Sequence, residues 1–207
     1  MPEVTFAPSR RSACPDCLRP VSACICGWRA ELDTPVDLLI LQHPMETTNA
    51  KGSARLLHLS LARSVMAAGE QFDPEALSAL LYADARTPVL LYPDLAPGPP
   101  PPTLDPALLS NPSALRLVAL DATWRKSRKM LYLNPLLQGL PRLALNHVPA
   151  SRYLIRKAHA AHQLSTLEAS CYALAQLSGE LAPFQILLDQ FGRFVARFQA
   201  TGGRIGD

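Results

Sequence analysis

Short apolar runs alternate along this chain with longer segments of helical periodicity, and that alternation constrains the fold more than any other feature. "VDLLILQ" begins at Val36 and stops at His43 and Pro44, "PVLLYPD" begins at Pro88, and "ALRLVALD" stops at Asp121. Runs this short and this apolar read as strands. Between the first two, residues 52–69 carry apolar side chains at helical spacing and end on Gly69, which suits a C-terminal cap. Residues 74–84 open with Pro74, at home in a helix's first turn. The spacing over 123–133 predicts an amphipathic helix. Trp124, Ser127, Met130 and Leu131 share one face, and Arg125, Lys126, Arg128 and Lys129 share the other. Residues 140–146 predict a fourth strand, Ser165-x-x-Glu168 has the form of a capping box opening another helix, and a last helix follows Pro183. The proline-rich stretch 97–106 builds no core. Such alternation specifies an α/β fold with a largely parallel sheet, whose ligands sit at the carboxyl ends of strands. His43 and Asp121 both fall at such ends.

With 207 residues, 48% hydrophobic and 18% charged, the chain is that of a folded protein with one main core. We expect a loose tail over 1–11, a cysteine module over 12–30 and the main domain over 36–201. The formal charge of +3 is too mild to indicate a partner, but its distribution is uneven. From Asp121 to Lys157 there are eight Lys or Arg and one acid, Asp121 itself. That is a positive field suited to phosphates. The first residues lack the apolar core of a leader, and no uncharged apolar run is long enough to span a bilayer, so the expected location is the cytoplasm and no membrane partner is expected.

Cys14, Cys17, Cys24 and Cys26 lie within "CPDCLRPVSACIC". Four thiolates so close can close a tetrahedral site with no open position, as structural zinc requires; a redox pair is the competing reading. Cys171, among apolar residues in mid-helix, reads as packing.

Asp121 admits two readings, a helix cap accepting from the amides at 123 or 124 and a general base at a strand's carboxyl end, and one residue can serve as both. Trp124 is either core or a surface on which a base stacks. Arg125, Arg128 and Lys129 are either a solvated face or, with Arg152, Arg156 and Lys157, phosphate contacts. Ser165 and Glu168 most simply cap their helix, and a helix start also suits a ligand's carboxylate or phosphate. His43 reads as a satisfied strand-end imidazole or, less simply, a catalyst.

Asp121-Ala122-Thr123-Trp124 has the form D-x-T-W. It is followed by Arg128-Lys129-Met130, Tyr153-Leu154-Ile155-Arg156 and Ser165-Thr166-Leu167-Glu168-Ala169, and preceded by "LQHPME", "KGSARL" and the four cysteines. In this order the set resembles the DTW-domain family, specifically its bacterial tRNA-uridine aminocarboxypropyltransferases. It departs at Ala50-Lys51-Gly52, where relatives often read Asn-Thr-Gly. The resemblance implies a SPOUT-like core with a C-terminal trefoil knot around the cofactor, preceded by a small zinc module holding Cys14, Cys17, Cys24 and Cys26. It implies transfer of the 3-amino-3-carboxypropyl group of S-adenosylmethionine to N3 of a uridine in the tRNA variable loop, releasing 5'-methylthioadenosine. Asp121, Thr123 and Trp124 then belong to the active-site signature, with Leu120, Ser165, Thr166 and Glu168 expected beside the cofactor. Arg19, near the zinc module, falls on the RNA side.

A protonated uridine N3 is a poor nucleophile, so a carboxylate placed to take its proton is the first chemical need, and Asp121 is the acid available in the basic segment. Arg125 or Arg128 would stabilise the resulting anion. The same fold would serve a methyltransferase if the methyl faced the acceptor. A ribosomal RNA uridine is the alternative target, and a non-catalytic zinc RNA-binding protein the alternative outside enzymes.

Overall fold

The computed structural model describes residues 12–49, 52–93, 100–145, 149, 151 and 164–200. Five strands form one parallel sheet: β1 (Asp37–Gln42), β2 (Ser64–Ala68), β3 (Thr87–Leu91), β4 (Leu115–Asp121) and β5 (Arg142–Leu143), in spatial order β2-β1-β4-β3-β5. Central β1 is buried along its whole length and β4 almost so, as uninterrupted apolar sequences require. Alternate residues serve opposite faces. Leu38 and Ile40 of β1, with Leu115, Leu117 and Ala119 of β4, face a core shared with α1 (Ala54–Ser60), α5 (Thr166–Ser178) and α6 (Ala182–Ala200). Leu39, Leu41 and Val118 face a second core under α2 (Pro74–Leu81), α3 (Trp124–Leu133) and α4 (Pro135–Gln138). The predicted α/β class and parallel sheet are therefore observed.

One expectation is corrected. Residues 52–69 are not a single helix: α1 ends at Ser60 and β2 follows from Ser64. The break is local, because Leu61 is extended at φ −113°, ψ 119°, and the Ser64 hydroxyl donates to the carbonyls of His58 and Leu61 at the point where the helix stops. β2 is an edge strand of small residues, "SVMAA", exposed or half-buried throughout, so it lacks the apolar density of its neighbours. Gly69 closes this strand rather than a helix. Its amide donates to the Gln42 carbonyl at 2.9 Å, and a Cβ there would come within 2.8 Å of the Phe72 ring.

The cysteine segment packs directly on the first core. Cys17 and Ile25 are buried within it, and Trp28 meets Phe194 of α6 edge to face, with centroids 6.1 Å apart. Residues 146–148, 150 and 152–163, which include Arg152, Arg156 and Lys157, lie outside the described residues. No helix among the described residues is long and apolar enough to cross a membrane.

Candidate functional site

The connection from β1 leads outward to β2, whereas that from β4 passes over β3 to β5. The connections of the two central neighbours thus part at the strands' carboxyl ends, which is where parallel α/β sheets form their ligand crevice. Gln42 and Asp121 are register partners at that point. Gln42 Nε2 donates to Asp121 Oδ2 at 2.8 Å, and Thr166 Oγ1, from the first turn of α5, donates to Oδ1 at 2.6 Å. Asp121 is 6% exposed, so this carboxyl is held by a strand and a helix start rather than left in solvent. Both donors act on the carboxyl from fixed elements, so its plane is set by the fold. Thr123 is the N-cap of α3, in extended conformation and without a side-chain cap bond.

The indole of Trp124, 52% exposed, meets Tyr92 edge to face at 5.9 Å, and Arg142 lies over the other ring of that pair, 5.7 Å from the Tyr92 centroid. Ser127, Met130 and Leu131 are buried, so Trp124 is the solvent end of the expected apolar face. Arg125 and Arg128 are exposed, as expected of the opposite face. Two lysines of that face turn to acids that the sequence left far away. Lys126 Nζ donates to Glu46 Oε1 at 2.9 Å, and Asn49 Nδ2 holds the other oxygen at 2.9 Å. Lys129 Nζ donates to Glu70 Oε2 at 2.8 Å, while Glu70 Oε1 lies 3.0 Å from His43 Nε2. The Met45 amide donates to His43 Nδ1, so the neutral ring carries its proton on Nε2 and donates it to Glu70. The hydrogen bond from Lys129, then that from His43, holds the Glu70 carboxyl below the ordinary glutamate range. His43 is thus a satisfied strand-end imidazole. The reading of the basic segment as holding one isolated acid is true along the chain but not in space.

The start of α5 is a complete capping box: Ser165 Oγ accepts from the Glu168 amide and Glu168 Oε2 from the Ser165 amide. Glu168 Oε2 also accepts from Ser151, and the Leu167 amide donates to Ser53 Oγ. Ser165 and Glu168 are buried; Thr166 faces Asp121; Leu120 is half-buried against the second core. Gln42 and Glu46 lie in the "LQHPME" block without a role assigned to either, and Glu70 escaped the sequence reading because the strand it follows reads as a helix.

The four Sγ atoms of Cys14, Cys17, Cys24 and Cys26 lie within 4.8 Å of one another, with Cys14 to Cys26 at 3.6 Å and Cys17 to Cys24 at 3.8 Å. Sulfurs about 2.3 Å from a tetrahedral zinc are separated by roughly 3.8 Å, so the donor set and its spacing fit such an ion. Bonds from the Cys17 and Asp16 amides bring the Cys14 thiol down to about 7, whereas burial and then neighbouring thiols push Cys26 up. Cys171 is buried in the core, which pushes its thiol up and leaves it as packing. Arg19 Nη2 donates to the Gly52 carbonyl at 2.8 Å, linking the cysteine segment to the turn before α1.

The DTW domain model matches residues 11–199. Over 175 residues the chain is 29% identical to mouse (Mus musculus) tRNA-uridine aminocarboxypropyltransferase 2, covering 81% of this chain and 57% of that protein. The macaque (Macaca fascicularis) protein of the same name is 28% identical over 173 residues, with the same shares. Arabidopsis thaliana tRNA-uridine aminocarboxypropyltransferase A is 29% identical over 135 residues, 59% of this chain and 51% of that protein. The chain spans a little over half the length of these curated relatives. No solved structure matches it.

Proposed function

The chain belongs to the DTW-domain family, and from that premise we propose that it is a cytoplasmic tRNA-uridine aminocarboxypropyltransferase with a SPOUT-like core and a structural zinc module. The reaction moves the 3-amino-3-carboxypropyl group of S-adenosylmethionine to N3 of a uridine in the tRNA variable loop and releases 5'-methylthioadenosine. The observation that carries this reading is the buried Asp121 at the paired carboxyl ends of β1 and β4, oriented by Gln42 and Thr166 ahead of an exposed indole and a cationic helix. The names of the relatives supply the reaction class.

When bound, S-adenosylmethionine supplies an electrophilic carbon on its sulfonium. The chain's own residues prepare the acceptor. Asp121 takes the N3 proton, and its fixed carboxyl spends no reorganisation in doing so. Arg125 or Arg128 offsets the imide anion, and Trp124 offers a face on which a base stacks while excluding water. Leu120, Ser165 and Thr166 line the cofactor side, with Glu168 fixing the turn that presents them. Arg125, Arg128, Lys129, Arg152, Arg156 and Lys157 carry the RNA backbone. Cys14, Cys17, Cys24 and Cys26 hold zinc as a closed thiolate site without a position for a water nucleophile.

The test is mass spectrometry of nucleosides from unmodified tRNA incubated with the purified protein and S-adenosylmethionine. A gain of one aminocarboxypropyl group on uridine, with methylthioadenosine released, is the expected result. A methyl gain would replace the reading with a methyltransferase. Product from ribosomal RNA alone would move the substrate, and no product from either RNA would leave a binding protein.

A further inference from the structure

Besides the carboxyl, the indole and the exposed cations, an ion pair joins the segments that follow β1 and β4, with no part yet in the reaction. Glu46 closes the short turn Pro44–Glu46 that follows β1 and Lys126 rises from the first turn of α3, so their 2.9 Å contact bridges the segments that leave the carboxyl ends of β1 and β4. Both side chains are largely removed from solvent, Glu46 at 10% and Lys126 at 22% exposure, unlike exposed Arg125 and Arg128 on the same helix. Resting on the aminocarboxypropyl reading, we propose that this pair is the clamp for the α-amino acid end of the donor, Glu46 taking its ammonium and Lys126 its carboxylate.

Three observations carry the assignment. A largely desolvated salt bridge adds little stability over apolar residues of similar volume, because desolvation offsets its attraction, so a pair at this end of the sheet is open to another use. An α-amino acid zwitterion presents one charge of each sign, and an acid beside a lysine is its complement. Without ligand Lys126 lies against Glu46, and with ligand each turns to the opposite charge of the zwitterion. Second, Asn49 Nδ2 grips the Glu46 oxygen that Lys126 does not, which keeps the carboxylate oriented when the lysine turns to the ligand. Third, the amides of Leu167 and Glu168 at the start of α5 already have acceptors in Ser53 and Ser165, so a charged side chain is the better partner for the incoming carboxylate. Anchoring both charges of the chain that is to be transferred fixes its direction, while the methyl on the same sulfur offers no such handle. Glu46 and Lys126 are thereby specificity-determining residues for the group transferred.

Calorimetric titration of the intact protein with S-adenosylmethionine and, separately, with 5'-methylthioadenosine tests this, since the second ligand lacks only the amino acid arm and the sulfonium charge. Lys126→Met and Glu46→Gln are each expected to weaken S-adenosylmethionine roughly 10- to 100-fold, the loss of one charge-assisted hydrogen bond, with methylthioadenosine unchanged and Lys126→Arg recovering part of the loss. Equal losses for both ligands, or none for either, would overturn the clamp and leave the pair as a brace between α3 and the turn after β1. A parent protein that bound neither ligand would overturn the aminocarboxypropyl reading and the clamp with it. Should Glu46→Gln fail to fold, Lys126→Met, altered at the more exposed partner, still decides the question.

Discussion

Asp121 draws its side-chain partners from residues 79 and 45 positions away, Gln42 and Thr166, so its setting is built by the fold and not by its neighbours in sequence. Both partners donate. Asp121→Asn exchanges one acceptor for an NH2 group and sets it against a donor, while deleting the base. Transfer is expected to fall on the order of 10²- to 10⁴-fold in single-turnover assays, with circular dichroism and bound metal retained. Near-normal turnover would reduce Asp121 to an architectural residue. Glu70 makes a separate prediction. Lys129 and then His43 depress its titration in the folded protein, so its contribution to stability is present above the ordinary glutamate range and is lost as pH falls through the lower folded value. The melting-temperature gap between the parent and Glu70→Gln should therefore narrow only as pH falls below the ordinary glutamate range, and a gap that kept its size through that fall would contradict the pairing. What the sequence disclosed at this scale was the place of Asp121 at a strand's carboxyl end and of Trp124 at the start of the next helix. It did not disclose the partners of Gln42, Glu46 or Glu70, because interactions spanning tens of residues leave no local pattern.

At the scale of elements, legibility followed burial. β1 and β4 are buried on both faces and announced themselves as apolar runs, whereas β2, half exposed at an edge, was absorbed into a helical pattern that its small residues did not break. β5 is reduced to Arg142–Leu143, since its register with β3 covers only Leu90 and Leu91. The opposite end of the sheet has its own polar joint. Asp37 Oδ2 lies 2.8 Å from Arg86 Nε and 3.1 Å from Arg116 Nη2, and Arg116 is 4% exposed. Removing one partner strands a buried charge, so Asp37→Ala is expected to cost about 3–5 kcal/mol in denaturant unfolding. Asp84→Asn, at the exposed end of the same network and in a left-handed conformation that Asn tolerates, should cost far less. Equal losses would mean that exposure, and not burial, sets the value of these pairs. On α3, Arg125→Ala with Arg128→Ala should lower the salt slope of RNA binding by about 1 for each phosphate no longer neutralised, and Lys129, whose charge Glu70 shares, should matter less.

Across the whole molecule the cysteine segment is part of the main core. Cys17, Ile25, Ala30 and Leu32 are buried in the same cluster as α1, α5 and α6, and Trp28 meets Phe194 across the boundary drawn at residue 30. A metal that organises this segment therefore acts on the folding of the whole described chain, because binding to the folded form alone adds its free energy to the common transition. Chelation should lower the melting temperature of one cooperative unfolding step, by roughly 2–4 °C for each kcal/mol lost in a chain of this size. A separate low-temperature transition, with the main one unmoved, would mean that the segment is a detachable appendage. The hydrogen bond from Arg19 to the Gly52 carbonyl extends the same coupling toward the site, since Ser53, the next residue, holds the Leu167 amide at the start of α5. Metal loss is then expected to weaken S-adenosylmethionine binding below the melting temperature, in calorimetric titration of the still-folded protein. Affinity unchanged after the metal is stripped would separate the cysteine segment's part in stability from any part in shaping the crevice.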